Sequence, residues 1–129
     1  MRRSLSLLLA VMAVLVMLAG CNSGDAVTNT YKTLSIAGIS YDATMKAAAE
    51  AYASGHISEA QKATLIKYGT AFHGSWQAAH TALKIYVATD KPEAETRDRL
   101  LALVARALSE WSTFSDCARD MGVLTEGVK

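Results

Sequence analysis

Two cysteines and three histidines are the residues of this 129-residue chain whose side chains have the most specific chemistry. His73 and His80 are seven residues apart, so on a helix they would share one face but lie about 10.5 Å apart along its axis. Because zinc binds histidine nitrogens at about 2.0–2.1 Å, these two side chains do not reach one metal ion within a single chain. His56 lies further away, and no HExxH, CxxC or CxxCH motif is present. The sequence therefore predicts no metal site, and pairing of histidines across a dimer is the one route left to such a site.

Cys21 stands at the end of an apolar segment that opens the chain. A basic pair, Arg2-Arg3, precedes a run of apolar and small residues from Leu5 to Met17. This order predicts a secretory signal peptide over residues 1–20, because the run is shorter than the ~20 apolar residues of a membrane span. The next four residues, Leu18-Ala19-Gly20-Cys21, resemble the lipobox of bacterial lipoproteins. The resemblance implies export, cleavage before Cys21 and attachment of a diacylglycerol to its sulfur. The alternative is an ordinary signal peptide followed by a chance cysteine.

The residues after Cys21 bear on where a lipid anchor would hold the chain. An aspartate at the next position tends to retain lipoproteins of enteric bacteria in the inner membrane. Asn22 therefore implies the periplasmic face of the outer membrane if the organism is Gram-negative. Residues 22–30 are polar and have no apolar periodicity. We expect residues 21–29 to form a lipidated N-terminus and a flexible linker, and acylated Cys21 to bind the lipid bilayer.

The charge balance and the second cysteine limit the possible partners. Without residues 1–20 the chain carries 11 lysines and arginines against 12 acidic residues, since two of the 13 basic residues lie in the signal peptide. No basic excess remains to attract nucleic acid. With Cys21 acylated, Cys117 is the one remaining thiol, so no intramolecular disulfide can form. Cys117 lies beside Phe114, Ala118 and Met121 in a helical pattern, and we expect it to be buried or half-buried, with pairing between chains left open.

Three segments of the mature chain have helical periodicity, and we predict helices at about 30–54, 58–89 and 91–121. A tail follows over residues 123–129. The clearest pattern runs from Leu65 to Tyr86, where apolar or small residues recur every three or four positions. Gly69 and Gly74 interrupt this segment, and each would cost about 1 kcal/mol relative to alanine inside a helix. A break there would contradict the three-helix prediction.

Cap residues support the predicted helix ends. Gly55 and Gly122 suit the left-handed positions that follow the first and third helices. Ser58 and Gln61 have the spacing of a capping box at the start of the second helix. The third helix is expected to start at 91, after the polar residues 89–90 and with a proline in its first turn.

Short turns make neighbouring helices antiparallel, which allows the facing residues to be predicted. Gly38 should face Trp76, and Gly69 should face both Met45 and Trp111, so large side chains meet small ones. The sequence therefore predicts an all-α fold, an elongated antiparallel up-down-up three-helix bundle over residues 30–122. Four tyrosines fall on the apolar stripes and are expected in or near the core: Tyr31, Tyr41, Tyr52 and Tyr86.

Nothing in the sequence points to catalysis. No GxSxG motif and no glycine-rich phosphate loop is present, so we expect no catalytic residue, no cofactor and no enzyme activity. A periplasmic carrier of a cofactor or metal is the alternative. A haem would need an axial histidine facing a second histidine or a methionine, and the predicted register does not place His73 opposite a methionine.

These observations favour a protein-binding or structural component of the cell envelope, with an envelope protein as its partner. The first helix is alanine-rich from Ala47 to Ala53, and its outer face suits a partner helix. In its size, anchor and helix content the chain resembles secretin pilotins and phage exclusion lipoproteins. That resemblance implies a secretion-accessory or exclusion role as a further alternative. Disulfide-bearing pilotins need two cysteines, which the mature chain lacks.

Overall fold

The computed structural model describes residues 23–124, which form three long helices joined by short turns. Helix α1 spans Ser23–Ala53, α2 spans Glu59–Ala88 and α3 spans Ala94–Asp120. All three helices contact one another, α2 and α3 most extensively and α1 and α3 least. The predicted all-α three-helix bundle is thus confirmed. The predicted signal peptide, Cys21 and the last five residues of the predicted tail lie outside the described residues.

None of the three described helices is long and apolar enough to cross a membrane.

Two glycine caps end α1 and α3 at the same end of the bundle. Gly55 and Gly122 have φ angles of 74° and 71°, in the left-handed region that side chains with a Cβ rarely adopt. In each cap the amide of the next residue donates to the carbonyl five residues earlier, at 2.8 Å for His56 and 2.9 Å for Val123. These bonds satisfy carbonyls that the helix ends would otherwise leave open. Both predicted cap positions are confirmed.

The residues after these caps close that end of the core. Ile57, in the turn after α1, is buried, and Val123 and Leu124 pack against the same apolar cluster as Leu65 and Phe114. The prediction of a loose tail from residue 123 is therefore wrong for Val123 and Leu124. These two residues pack on the core because the glycine cap at Gly122 turns the chain back over it.

The capping box of α2 is confirmed, whereas the start of α3 was predicted wrongly. The Gln61 amide donates to Ser58 Oγ at 3.2 Å, and the Ser58 amide donates to Gln61 Oε1 at 2.8 Å. Helix α3 starts at Ala94 with Glu93 as its N-cap, and Glu93 makes no side-chain capping bond. Because a proline disfavours helical backbone at the residue before it, Pro92 rules out the predicted start at Lys91, and the helix begins two residues after the proline.

Helix α1 starts at Ser23, seven residues before its predicted start. The prediction of a flexible linker is thus wrong for residues 23–29. Val27 packs against the buried cluster that contains Leu34 and Ala79. Because Val27 lies two helical turns before Leu34, it continues the apolar stripe of α1, and this packing stabilises the additional turns. Val27 could be seen in the sequence, but a single apolar residue among polar ones did not indicate that the helix extends over residues 23–29.

The register between α1 and α2 is as predicted. A Cβ placed on Gly38 would lie 3.1 Å from Cζ2 of Trp76, and one placed on Gly69 would lie 3.3 Å from Sδ of Met45. Helix α2 runs unbroken through Gly69, which is buried. Gly69 is therefore a point of close packing and not a hinge.

The register between α2 and α3 differs from the predicted one by about one turn. Phe114, not Trp111, lies closest to Gly69: a Cβ on that glycine would be 3.2 Å from Phe114 Cε2. Trp111 instead packs on Phe72, with ring centroids 5.3 Å apart. The shift follows from the start of α3 at Ala94, three residues later than predicted. Each α3 residue therefore lies about three residues closer to the α2–α3 turn than predicted.

Two of the four tyrosines that were predicted in the core lie on the surface. Tyr31 is 57% exposed and Tyr52 is 38% exposed, whereas Tyr41 and Tyr86 are half-buried. The buried stripe of α1 contains Leu34, Ala37 and Thr44, and Tyr31 lies at its edge on the helix. Ile57 fills the end of the core where Tyr52 was expected.

Candidate functional site

The His73 and His80 side chains lie on the same side of α2 with the Trp76 indole between them. The ring centroids are 6.2 Å apart for His73 and Trp76 and 5.1 Å apart for Trp76 and His80, and both pairs are close to parallel. Tyr41 of α1 stacks on His73 at 5.6 Å. The imidazoles therefore contact aromatic rings instead of converging on one point.

The Trp76 indole is fixed by one hydrogen bond and by close packing. Its Nε1–H donates to the backbone oxygen of Leu34 at 2.7 Å, and the ring lies against Gly38. Trp76 and Gly38 border a depression of about 380 Å³ between α1 and α2, beside Tyr41 and His73. Burial raises the pKa of the Tyr41 hydroxyl, and the nearby Asp42 carboxylate raises that pKa further. This stack joins α1 to α2 and so has a clear packing role.

No three His, Cys, Asp or Glu side chains in residues 23–124 lie close enough together to hold a metal ion.

Cys117 is half-buried on α3, as the sequence predicts. It packs against the cluster that contains Leu65 and Phe114. Burial raises the pKa of the Cys117 thiol, and the Asp120 carboxylate adds to this rise. A thiol in this environment stays protonated and is a weak nucleophile.

A depression in the described part of the chain lies between α2 and α3. Its volume is about 590 Å³, and a shallower depression of about 260 Å³ continues it along the helices. We call the two together the α2/α3 groove. The first part is lined by Gln77, Ala78, Thr81, Ala82, Ile85, Glu95, Thr96, Arg99 and Leu103. The second part is lined by Thr70, Ala71, Gly74, Ser75, Ala78, Leu103 and Arg106.

Small side chains on α2 form the floor of the α2/α3 groove. Ala71, Gly74, Ala78 and Ala82 recur every three or four residues, so they form one continuous stripe along the helix. A Cβ placed on Gly74 would meet no atom within 4 Å. Gly74, unlike Gly69, thus has no packing role in the bundle, and it marks the point where an approaching backbone would come closest to α2.

Two arginines stand on the α3 side of the α2/α3 groove. Arg99 lines its first part and Arg106 its second part, seven residues or about 10.5 Å further along α3. Neither arginine takes part in the ion pairs found among the described residues. Glu95 is the acidic residue that lines the groove, at the end near the start of α3. The centre of the groove therefore carries positive charge over an apolar floor.

The outer face of α1, which the sequence favoured for a partner helix, is different in shape. It exposes Ile36 and Ile39, the latter by 71%, along with Ala43. Ile39 borders the depression of about 380 Å³ beside Trp76. The alanine-rich part of α1 borders a smaller depression of about 160 Å³ against α2, to which Ala48 and Ala49 contribute.

The α2/α3 groove was not predicted from the sequence. The available signal was the stripe of small residues from Ala71 to Ala82 on the side of α2 away from its large apolar residues. Comparisons with models of known protein families, with curated proteins and with solved structures found no match for this chain.

Proposed function

We propose that this protein is a lipid-anchored component of the cell envelope that binds a helix of a partner protein in the α2/α3 groove. The resemblance of Leu18–Cys21 to a lipobox supports the anchor. The observation that carries the binding role is the groove itself, because it combines an apolar floor of small residues with unpaired arginines. The groove thus combines the shape and the chemistry of a binding site.

The shape of the groove suits a helix. From Thr70 to Ile85 the α2 side of the groove is about 22 Å long, which matches four turns of a partner helix. Small residues on a helix surface let a second helix approach to about 8 Å. A helix in this position would complete a four-helix arrangement and would bury Ala71, Gly74 and Ala78 against its own apolar side chains.

The charges of the groove define the partner's chemistry. An amphipathic helix with two carboxylates seven residues apart would place them opposite Arg99 and Arg106. Each arginine could then form a bidentate pair with a carboxylate. Because exposed ion pairs contribute only about 0–1 kcal/mol each, the apolar floor supplies most of the affinity and the arginines set the register.

Site-specific photo-crosslinking in living cells tests the groove. A photoreactive phenylalanine analogue replaces Ala71, which is exposed in the α2/α3 groove. The same analogue at Ala43 is the control, because Ala43 is also exposed, lies on the outer face of α1 and stands level with Ala71 along the bundle. We expect a crosslink of defined size from position 71 and none of that size from position 43.

The charge-reversal variant Arg99→Glu/Arg106→Glu tests the chemistry of the same site. Both side chains are exposed, so the variant should fold like the original chain. We expect the position-71 crosslink to be lost in this variant while its helical circular dichroism stays unchanged. A crosslink from position 43 alone, equal crosslinks from both positions, or a crosslink that charge reversal leaves intact would refute binding in the groove.

Incorporation of labelled palmitate tests the anchor separately. The full-length chain should become labelled, and Cys21→Ser should not. Equal labelling of the two would refute acylation at Cys21 without bearing on the groove.

A further inference from the structure

Two large apolar side chains are exposed at the end of the bundle where α1 begins. Ile85 and Val87, in the last turn of α2, are 57% and 64% exposed. In the observed register Val87 stands level with Ala26 and Val27 of α1, only about 5 Å along the axis from the start of α1. We call this end, with Ile85, Val87 and the turn at residues 89–93, the anchor end.

The position of Cys21 indicates that these side chains lie close to the lipid bilayer. Cys21 precedes the first residue of α1 by two positions, and two residues span at most about 7 Å. A lipid on Cys21 would therefore hold the anchor end within the depth of the headgroup layer, which is about 5–7 Å on each side of a bilayer. A long linker would let the bundle turn freely relative to the membrane. The early start of α1 leaves no such linker and keeps the anchor end at the membrane surface.

We propose that the anchor end rests on the bilayer and that Ile85 and Val87 contact lipid. The inference relies on the acylation of Cys21 in the proposed function. Ile85 also lines the end of the α2/α3 groove, whereas Val87 does not line it, so the contact is tested at Val87. The bundle then stands with its glycine-capped end away from the membrane. Each apolar side chain that enters the headgroup layer increases the membrane affinity that the acyl chains provide.

The charges near the anchor end indicate that this contact is apolar. The sequence near this end has no basic excess, since it holds four basic residues, Lys84, Lys91, Arg97 and Arg99, and five acidic ones, Asp25, Asp90, Glu93, Glu95 and Asp98. We therefore expect the contact to form no more readily on vesicles that contain phosphatidylglycerol than on vesicles of phosphatidylcholine alone.

Fluorescence of an environment-sensitive dye tests the contact. The full chain with Cys117→Ser and Val87→Cys is purified from membranes, labelled with the dye NBD at position 87 and reconstituted into phosphatidylcholine vesicles. Ile66→Cys in the same background is the control, because Ile66 is an exposed apolar residue of the same helix about 31 Å further from the anchor end. Flotation with the vesicles reports the anchor, and the dye reports the contact.

We expect flotation of both variants, with a blue shift and a rise in emission of about twofold or more at position 87 only. Replacing Ile85 with aspartate should reduce the signal at position 87 while flotation persists. Flotation without a change at position 87, or with equal changes at both positions, would overturn the contact and leave the anchor standing. Failure of the proteins to float would overturn both.

Discussion

Alanine at Gly69 and alanine at Gly74 should have opposite effects on stability although both glycines lie inside α2. In an exposed helix interior, replacing glycine by alanine stabilises the fold by about 0.5–1 kcal/mol. Gly74 has open space around it, so Gly74→Ala should show this gain in full. The comparison separates the backbone effect, which the two sites share, from the packing effect, which only Gly69 has.

At Gly69 a Cβ would be too close to three side chains at once. It would lie 3.2 Å from Phe114 Cε2 and 3.3 Å from both Met45 Sδ and Tyr41 Cε2. Met45 can adjust, but Phe114 is fully buried and packs on Tyr41 and Trp111, so its ring has little room to move. Overpacking of this kind costs about 1–3 kcal/mol. After the backbone gain, Gly69→Ala should be destabilised by roughly 0–2.5 kcal/mol relative to the original chain.

Urea denaturation followed by the helical circular dichroism signal measures both variants. The mature chain carries Cys21→Ser so that it is free of lipid. We expect Gly74→Ala to be the more stable variant by about 1–3 kcal/mol, with a melting temperature higher by at least roughly 4 °C. If Gly69→Ala were as stable as Gly74→Ala, the close packing of Gly69 against Phe114 would be refuted.

Three further predictions concern single contacts. Trp76→Phe should lower the free energy of unfolding by about 0.5–1.5 kcal/mol through loss of the bond to Leu34, and an unchanged urea midpoint would contradict that role. Ser58→Ala should cost about 0.5–2 kcal/mol by removing the α2 capping box, whereas Ser109→Ala on the exposed face of α3 should not lower the midpoint, because alanine favours a helix interior more than serine does. The pKa of the Cys117 thiol is raised in the folded chain by burial, so its contribution to stability is complete below the ordinary thiol pKa and is lost as pH rises above it. Iodoacetamide should therefore alkylate Cys117 more slowly in the folded chain than in urea at the same mildly alkaline pH, and equal rates would refute the shift.

The sequence was sufficient for the helices and for one of the two main interfaces. Periodicity and glycine caps identified the three helices, because these signals are local. The α1/α2 register followed from placing Gly38 and Gly69 opposite large side chains, and it is confirmed. The α2/α3 register was wrong by about one turn, because it depended on the length of the turn at Pro92. A difference of three residues in that turn exchanges Trp111 for Phe114 opposite Gly69.

The exposed surfaces were harder to predict. A stripe of alanines gives the same sequence pattern whether it faces solvent or lines a depression. The alanine-rich face of α1 was therefore predicted to bind a partner helix, whereas Ala71 and Ala78 on α2 were not. The α2/α3 groove depends on how two helices approach each other, which periodicity along one helix does not encode. Arg99 and Arg106 can be recognised as groove residues only once that geometry is known.

Both the proposed envelope location and the proposed orientation of the bundle depend on the acylation of Cys21. The most direct measurement is the mass of the N-terminal peptide from protein that has been extracted from the membrane. We expect a chain that begins at Cys21, with a diacylglycerol on the sulfur, and an unprocessed and unmodified chain in Cys21→Ser. An N-terminal peptide with unmodified Cys21, or a mature chain that begins at another residue, would contradict it.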